Sequence, residues 1–387
     1  MSAPRLEIDL GKIEHNARAL VERLAARGIA VTGVTKATLG SPEIAQALLR
    51  GGVVRLADSR IENIEALRRS GVSASMTLIR SPMLSQVDRV VAHADVSFNT
   101  ELEVIGRLSS AAMQVGESHG VVLMVELGDL REGILPADIE HIVSETLRLP
   151  NIALKGIGAN LACRSGVVPG PENMAELSAL ADSIDATFGL ELEIVSGGNS
   201  ANLGWVFGST DVGRINDLRL GEALLLGCDP ITRQSIEGLD TDAITLTAEV
   251  IEAKLKPSLP WGEIGQSAFG EPPPATDRGP VWQTILALGR QDVDPEGLHP
   301  PAGMKVLEAS SDHLIVDFGP HRLPVGGEVS FQLNYSALLR AMTSPFVTKV
   351  FVGASRAAPL AATLDDEHAF GGWHRAAPNR RVGPRAG

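Results

Sequence analysis

The chain has 387 residues, 44% of them hydrophobic, and a formal net charge of −13. That is enough apolar material for a barrel-sized domain and a smaller second one, while the acidic surface argues against nucleic acid or an anionic membrane as partner. Two cysteines, Cys163 and Cys228, cannot build a disulfide framework, residues 1–10 contain no apolar signal core, and no apolar run approaches a membrane span, so a soluble cytoplasmic protein is expected.

In chain order, residues 6–8 form a short strand that could belong to either domain. Asp9 can N-cap the helix carrying Ile13, Ala17, Leu20, Val21 and Leu24. Short aliphatic runs then recur at residues 29–34, 53–57, 74–79, around Val96, and at 121–127, 154–159, 192–195 and 218–220. Helical patterns separate them; Ser41 or Pro42, for example, can open a helix through Ile44, Ala47, Leu48 and Leu49. Eight strand–helix units in about 200 residues predict a parallel (β/α)8 TIM barrel. An open doubly wound sheet is the rival, weakened because no G-x-G-x-x-G opens the first unit. Beyond residue 235, strands at 245–250, 281–286, 314–318 and 329–334 alternate with turns such as Pro272-Pro273-Pro274 and Pro300-Pro301. The expected division is a barrel over 11–235, a β-rich domain from 1–10 and 236–355, and a poorly ordered tail over 356–387.

In a TIM barrel the active site lies at the C-terminal strand ends. Lys36 follows the first strand there, where a partly desolvated amine can attack a carbonyl; a solvated loop lysine is the competing reading. Ser196-Gly197-Gly198-Asn199-Ser200 follows the seventh strand. Its glycines allow close backbone approach to an anion, and TIM barrels often bind phosphate after strands seven and eight. Leu218-Arg219-Leu220-Gly221-Glu222-Ala223 marks the eighth strand. Arg219 would point into the mouth and needs a partner, either a ligand or an acidic neighbour such as Glu126. Arg131, after the fifth strand, could donate to a ligand or pair with Asp129 or Glu132. No HExxH or Cys/His pattern indicates a metal, and no G-x-S-x-G elbow is present. A cofactor with a phosphate and an aldehyde fits this set.

The chain resembles the alanine racemase-like, fold-type III pyridoxal 5′-phosphate (PLP) enzymes, most closely their alanine/ornithine racemase subgroup. The resemblance runs from residue 5 to about 352. Its carriers are Leu6-Glu7-Ile8-Asp9-Leu10, Val34-Thr35-Lys36, Leu56-Ala57-Asp58-Ser59-Arg60, Gly156-Ile157-Gly158-Ala159-Asn160-Leu161, the two loops just described, Gly289-Arg290-Gln291-Asp292-Val293-Asp294 and Leu333-Asn334-Tyr335. It implies that Lys36 holds PLP as a Schiff base and serves as one racemisation base. By the same resemblance, Ser200, Gly221, Glu222 and Tyr335 contact the phosphate, Arg131 lies near the phenolic oxygen, and Arg219 faces the pyridine nitrogen. Asn160 stands where alanine racemases have a histidine above the ring. A homodimer is also implied, with each active site completed across the interface.

The departures bear on substrate. No tyrosine occurs in Leu288-Gly289-Arg290-Gln291-Asp292, where alanine racemases have their second base, and Tyr335 is the only tyrosine in the chain. Gly40 replaces a tyrosine after the lysine, and Met124 stands where some alanine racemases have a modified lysine. Asp292, Asp312, His313 and Cys163 are the candidates for the second base, with Asp292 placed first by its position in the motif. Asp292 could equally bind the distal amine of a dibasic substrate. The expected activity is racemisation of a free amino acid, ornithine or lysine. Decarboxylation or aldol cleavage on the same fold, and a non-catalytic PLP carrier, are the alternatives.

Overall fold

The computed structural model describes residues 3–270, 276–319 and 321–353. The expected tail and the Pro272-Pro273-Pro274 turn lie outside the described residues. Strand β1 (Arg5–Asp9) precedes eight parallel strands: β2 (Ala30–Val34), β3 (Arg55–Asp58), β4 (Ser75–Leu78), β5 (Val96–Asn99), β6 (His119–Met124), β7 (Ile152–Gly158), β8 (Ile194–Gly198) and β9 (Asp217–Leu220). These eight close into a barrel, with β2 pairing both β3 and β9. The doubly wound alternative is thereby excluded.

Local chemistry fixes the helices around it. The Asp9 carboxylate accepts from the amides of Gly11 and Lys12 at the start of the Leu10–Ala25 helix. Ser41 caps the Pro42–Arg50 helix, whose first-turn proline needs no N–H partner. The strand period of two sorts the barrel's side chains. Val121, Leu123 and Val125 join the main core that also contains the helix residues, whereas Val96, Phe98, Val122, Met124 and Ile194 form a separate buried cluster.

The second unit is an antiparallel sheet built on the long strand β10 (Ile244–Pro257), followed by β11 (Pro280–Leu286), β12 (Leu298–His299), β13 (Lys305–Ala309), β14 (Leu314–Asp317), β15 (Glu328–Leu333) and β16 (Thr348–Val352). Its strand order is β12-β15-β10-β11-β14-β13. β1 belongs to this sheet, pairing antiparallel with β10 and parallel with β16, so the chain starts in the sheet, builds the barrel and returns. After β15 comes a helix, Tyr335–Thr343, with Asn334 accepting from the Ala337 amide at its start. It packs against the short turn Lys36–Thr38 at the C-terminal end of β2. The sheet unit thus delivers a side chain to the barrel mouth of its own chain.

Candidate active site

Lys36 opens a single 3₁₀ turn just beyond β2. The residue before it, Thr35, is fully buried and donates its hydroxyl to Asp58 Oδ2 at 2.7 Å. Asp58, at the end of β3, also accepts from the Arg60 amide at 2.9 Å and from Asn63 Nδ2 at 3.0 Å. Asp58 of the Leu-Ala-Asp-Ser-Arg motif is therefore a buried tie between the first two barrel strands, and it fixes the base of the turn that carries Lys36. Desolvation draws the Lys36 ammonium below the ordinary lysine range. Cys163 and Asp58 oppose that shift, while Arg131 and Arg219 reinforce it.

A cleft of about 410 Å³ opens above Lys36. Lys36, Arg131, Asn160, Ser200, Arg219, Gly221, Glu222 and Tyr335 all line it, so the residues matched to the cofactor in the sequence converge. At one end the Ser200 hydroxyl accepts from the Ala223 amide at 3.2 Å, tying the loop after β8 to the loop after β9. Gly221 and Tyr335 flank this junction, and the Lys36 amine lies 5.9 Å from the Tyr335 ring centroid. Burial raises both the Glu222 carboxyl and the Tyr335 phenol above their ordinary values. Glu222 is paired with Arg233 at 2.9 Å.

Arg219 is 5% exposed and stands on β9, the strand that leads into the Gly221 loop. Glu126 is not its partner; that side chain instead accepts from the amides of Gly128 and Leu130. Arg219 donates to Ser196 Oγ at 2.5 Å, to Ala159 O at 2.7 Å and to Asn160 Oδ1 at 3.4 Å. Ser196 passes the contact on to Asp217, which also accepts from Thr32 at 2.6 Å and Arg55 at 3.2 Å. Three of the five guanidinium N–H groups are used, which leaves two for a ligand. Burial lowers the Arg219 pKa to about 10, still well above neutrality. Asn160 adds a buried Nδ2 with no hydrogen-bond partner among the described residues, on the wall of the same cleft. Arg131 makes the rim pair the sequence allowed, bonding Glu132 through two nitrogens, and lines the cleft as well.

Asp292 is the exception. It is 6% exposed, lies in the sheet unit and does not line this cleft. Its oxygens accept from the Gly289 amide at 3.2 Å and the Ser344 hydroxyl at 2.9 Å, so it holds its own turn together. The role expected for Asp292, a proton carrier in a mouth completed across a dimer interface, is a proposal that a single chain does not test. Asp312 and His313 pair with each other at 2.7 Å on the exposed surface. Cys163 alone of the four candidates lines the cleft. Its loop is anchored by Asp129, which accepts from the amides of Cys163, Arg164 and Ser165. Asn199 Nδ2 lies 3.6 Å from its sulfur. Sequence reasoning passed over Arg80 and Ser59 at the mouth; their positions one or two residues past barrel strands were the available signal.

The alanine racemase N-terminal domain family matches residues 8–229. The chain belongs to that family. It is 38% identical to a lysine racemase of Thermotoga maritima over 91% of this chain and 99% of the relative. It is 39% identical to an ornithine racemase of Acetoanaerobium sticklandii over 89% of this chain and 99% of the relative. The alanine racemase structure from Streptomyces coelicolor superposes with a TM-score of 0.72 at 20% identity, over 90% of this chain and 98% of that one. A D-threonine aldolase structure from Filomicrobium marinum gives 0.68 at 15% identity, over 88% of each chain. The alanine racemase fold therefore hosts more than one reaction, and the side chains in the cleft must decide between them.

Proposed function

We propose that this protein is a PLP-dependent racemase that inverts the Cα configuration of a basic amino acid, lysine or ornithine. The observation that carries the proposal is a buried Lys36, its amine drawn below the ordinary lysine range, in one cleft with Arg219, Ser200, Gly221 and Tyr335. These residues fit PLP. Ser200, Gly221, Glu222 and Tyr335 would hold the phosphate, Arg131 the phenolic oxygen, and Asn160 and Arg219 the ring. When bound, PLP would supply an electron sink for the pair left at Cα after proton removal.

The chain's own residues do the rest of the chemistry. Lys36, whose amine is made easier to deprotonate by burial, would hold PLP through its aldehyde and would take or return the Cα proton. Arg219 has no acceptor lone pair and keeps its proton, so it would offer the ring nitrogen of PLP only a donor. A ring held that way would withdraw electrons less strongly, which favours racemisation over decarboxylation. The second face needs another proton carrier; Cys163, which lines this cleft, is our candidate within one chain, and Asp292 our candidate across a dimer interface. The basic substrate rests on the two relatives named for lysine and ornithine. The proposal extends to a cytoplasmic homodimer, checked by sedimentation.

The decisive experiment incubates the holoenzyme with a panel of single enantiomers and tracks them by chiral chromatography. Inversion of lysine or ornithine and not alanine is expected. Release of CO2 or an aldehyde would establish one of the rival reactions instead, and no turnover at all would favour a PLP carrier. Borohydride should fix PLP to Lys36, and a label on any other lysine would refute the assignment.

A further inference from the structure

On the N-terminal side of the cleft, four barrel strands share one buried polar chain. Thr32 on β2, Arg55 on β3, Ser196 on β8, and Asp217 with Arg219 on β9 contribute to it. Asp217 and Arg219 stand two residues apart on one strand, so their side chains fall on the same face. Asp217 is 2% exposed, and Ser196 is fully buried. Gly158 on β7 keeps the space beside them open, since an added Cβ would stand 3.1 Å from Ser196 Cβ and 3.6 Å from Arg219 Nη1.

The direction of this chain is forced. A guanidinium can only donate, so Ser196 Oγ accepts from Arg219 Nη1. The single Ser196 proton must then go elsewhere, and it goes to Asp217 Oδ2. The other Asp217 oxygen accepts from Thr32 at 2.6 Å and from Arg55 at 3.2 Å. A tie between strands accounts for those last two contacts and not for the Ser196 link. The Arg55 side chain is 28% exposed, so water can serve it. Arg219 has no such recourse, and a buried cation without a countercharge is costly. Burial weakens its hold on the proton, and Asp217 is the carboxylate that does most to restore it.

We propose that Asp217 is a positioning residue for the cofactor: through Ser196 it fixes the Arg219 guanidinium so that its remaining N–H groups face the cleft. The inference rests on the PLP reading of that cleft. Ser196 holds Nη1 and Ala159 holds Nη2, so the guanidinium plane cannot turn without breaking a buried bond. The N–H groups left over are one on Nη1 and the one on Nε. Fixed donors lose less freedom when they meet a ring nitrogen than donors that must first be ordered. Asparagine cannot take over the task. It lacks the charge, and its amide sets a donor against either Arg55 or the Ser196 hydroxyl.

The test compares PLP with its 1-deaza analogue, in which a C–H replaces the ring nitrogen. The full-length protein is freed of cofactor and reconstituted with either compound, and dissociation constants are read from absorbance, so the result does not depend on turnover. Wild type should prefer PLP, because the analogue leaves buried donors unpaired. In Asp217→Asn the dissociation constant of PLP is expected to rise about 10- to 100-fold, the range of a charge-assisted hydrogen bond, with that of the analogue changed less than about threefold. Ser196→Ala should give the same selective loss, and the double variant should lose no more than either single one. Where Asp217→Asn does not fold, Ser196→Ala carries the comparison, since it leaves the carboxylate with Thr32 and Arg55. Equal weakening of the two compounds would make the chain merely structural and overturn the proposal. An unchanged PLP affinity, or losses that add in the double variant, would overturn it too. A wild-type protein that binds no PLP, or binds both compounds equally, would instead overturn the PLP reading or the place of Arg219 in it, before any variant is made.

Discussion

Substituting Gly198 by alanine tests whether the loop after β8 is the cofactor's anchor. Gly198 has a φ of 147°, a conformation that side chains disfavour, at a cost of about 1–3 kcal/mol. A Cβ there would stand 2.1 Å from Asn202 Oδ1. Asn202 is fully buried and accepts from the Asn199 amide at 3.0 Å while donating to Gly197 O at 3.0 Å. Displacing it forfeits both bonds, each costing about 1–3 kcal/mol when buried groups lose their partners. Partial relaxation brings the expected total to roughly 3–5 kcal/mol, concentrated in the loop that carries Ser200. If the loop must be in place to hold phosphate, that cost appears as a loss of competent population, and PLP affinity should fall by about 10²- to 10³-fold. The assay is absorbance titration of the apoprotein with PLP, with urea unfolding in parallel. Gly208→Ala serves as the control, because nothing lies within 4 Å of the added carbon and the position carries no left-handed backbone. A Gly198→Ala protein that binds PLP within threefold of wild type would refute the assignment of this loop.

His119 is 2% exposed, and burial lowers its pKa to about 4 from the ordinary 6.5. Between those values the unfolded chain binds more protons than the folded one, so stability is present above pH 6.5 and lost as pH falls toward 4. The difference is roughly 3 kcal/mol at about 1.4 kcal/mol per pKa unit. His119→Gln should flatten that part of the urea-midpoint profile, and an unchanged acid slope would contradict the argument. Asp292→Ala should cost about 1–3 kcal/mol of stability through the Gly289 and Ser344 contacts and slow solvent deuterium exchange into both enantiomers equally. A loss of exchange confined to one enantiomer would establish Asp292 as a base. Cys163→Ala, by contrast, should suppress solvent deuterium incorporation into one enantiomer more than the other, and symmetrical losses would remove Cys163 from the proton path.

Much of the architecture was legible because barrel strands and their helices obey local rules. Asp9 and Ser41 cap the helices they were expected to cap, and the eight short aliphatic runs became the eight barrel strands. The sheet unit was less legible. β13 and β16 are half-exposed and lack a clean buried alternation, so no pattern announced them. The helix at Tyr335 begins where a strand pattern ends, and its role depends on packing against Lys36–Thr38, a contact across some 300 residues. At the site, Lys36, Ser200 and Arg219 could be found from their places after strands. Asp217 could not, since its part lies in a chain of contacts that only the closed barrel assembles. For Asp292, a motif position does not disclose that both carboxylate oxygens already accept hydrogen bonds, from the Gly289 amide and the Ser344 hydroxyl.

The cleft also solves a problem of two cations close together. Arg219 and Lys36 are both desolvated, and Arg219 lowers the proton affinity of Lys36, but they start from different values. The guanidinium falls from 12.5 only to about 10 and stays charged, whereas the amine starts at 10.5 and is drawn below it. The same burial therefore leaves a fixed cation beside an amine that gives up its proton more easily than an ordinary lysine. Arg219→Lys breaks that division. A second amine, buried equally, competes to be the neutral one, and Lys36 then loses a cationic neighbour that had been lowering its pKa. The acid limb of the pH profile for PLP attachment to the apoprotein should shift to higher pH. An unshifted limb, with PLP still fixed to Lys36 by borohydride, would mean that desolvation alone sets the Lys36 amine and that Arg219 contributes nothing to its nucleophilicity.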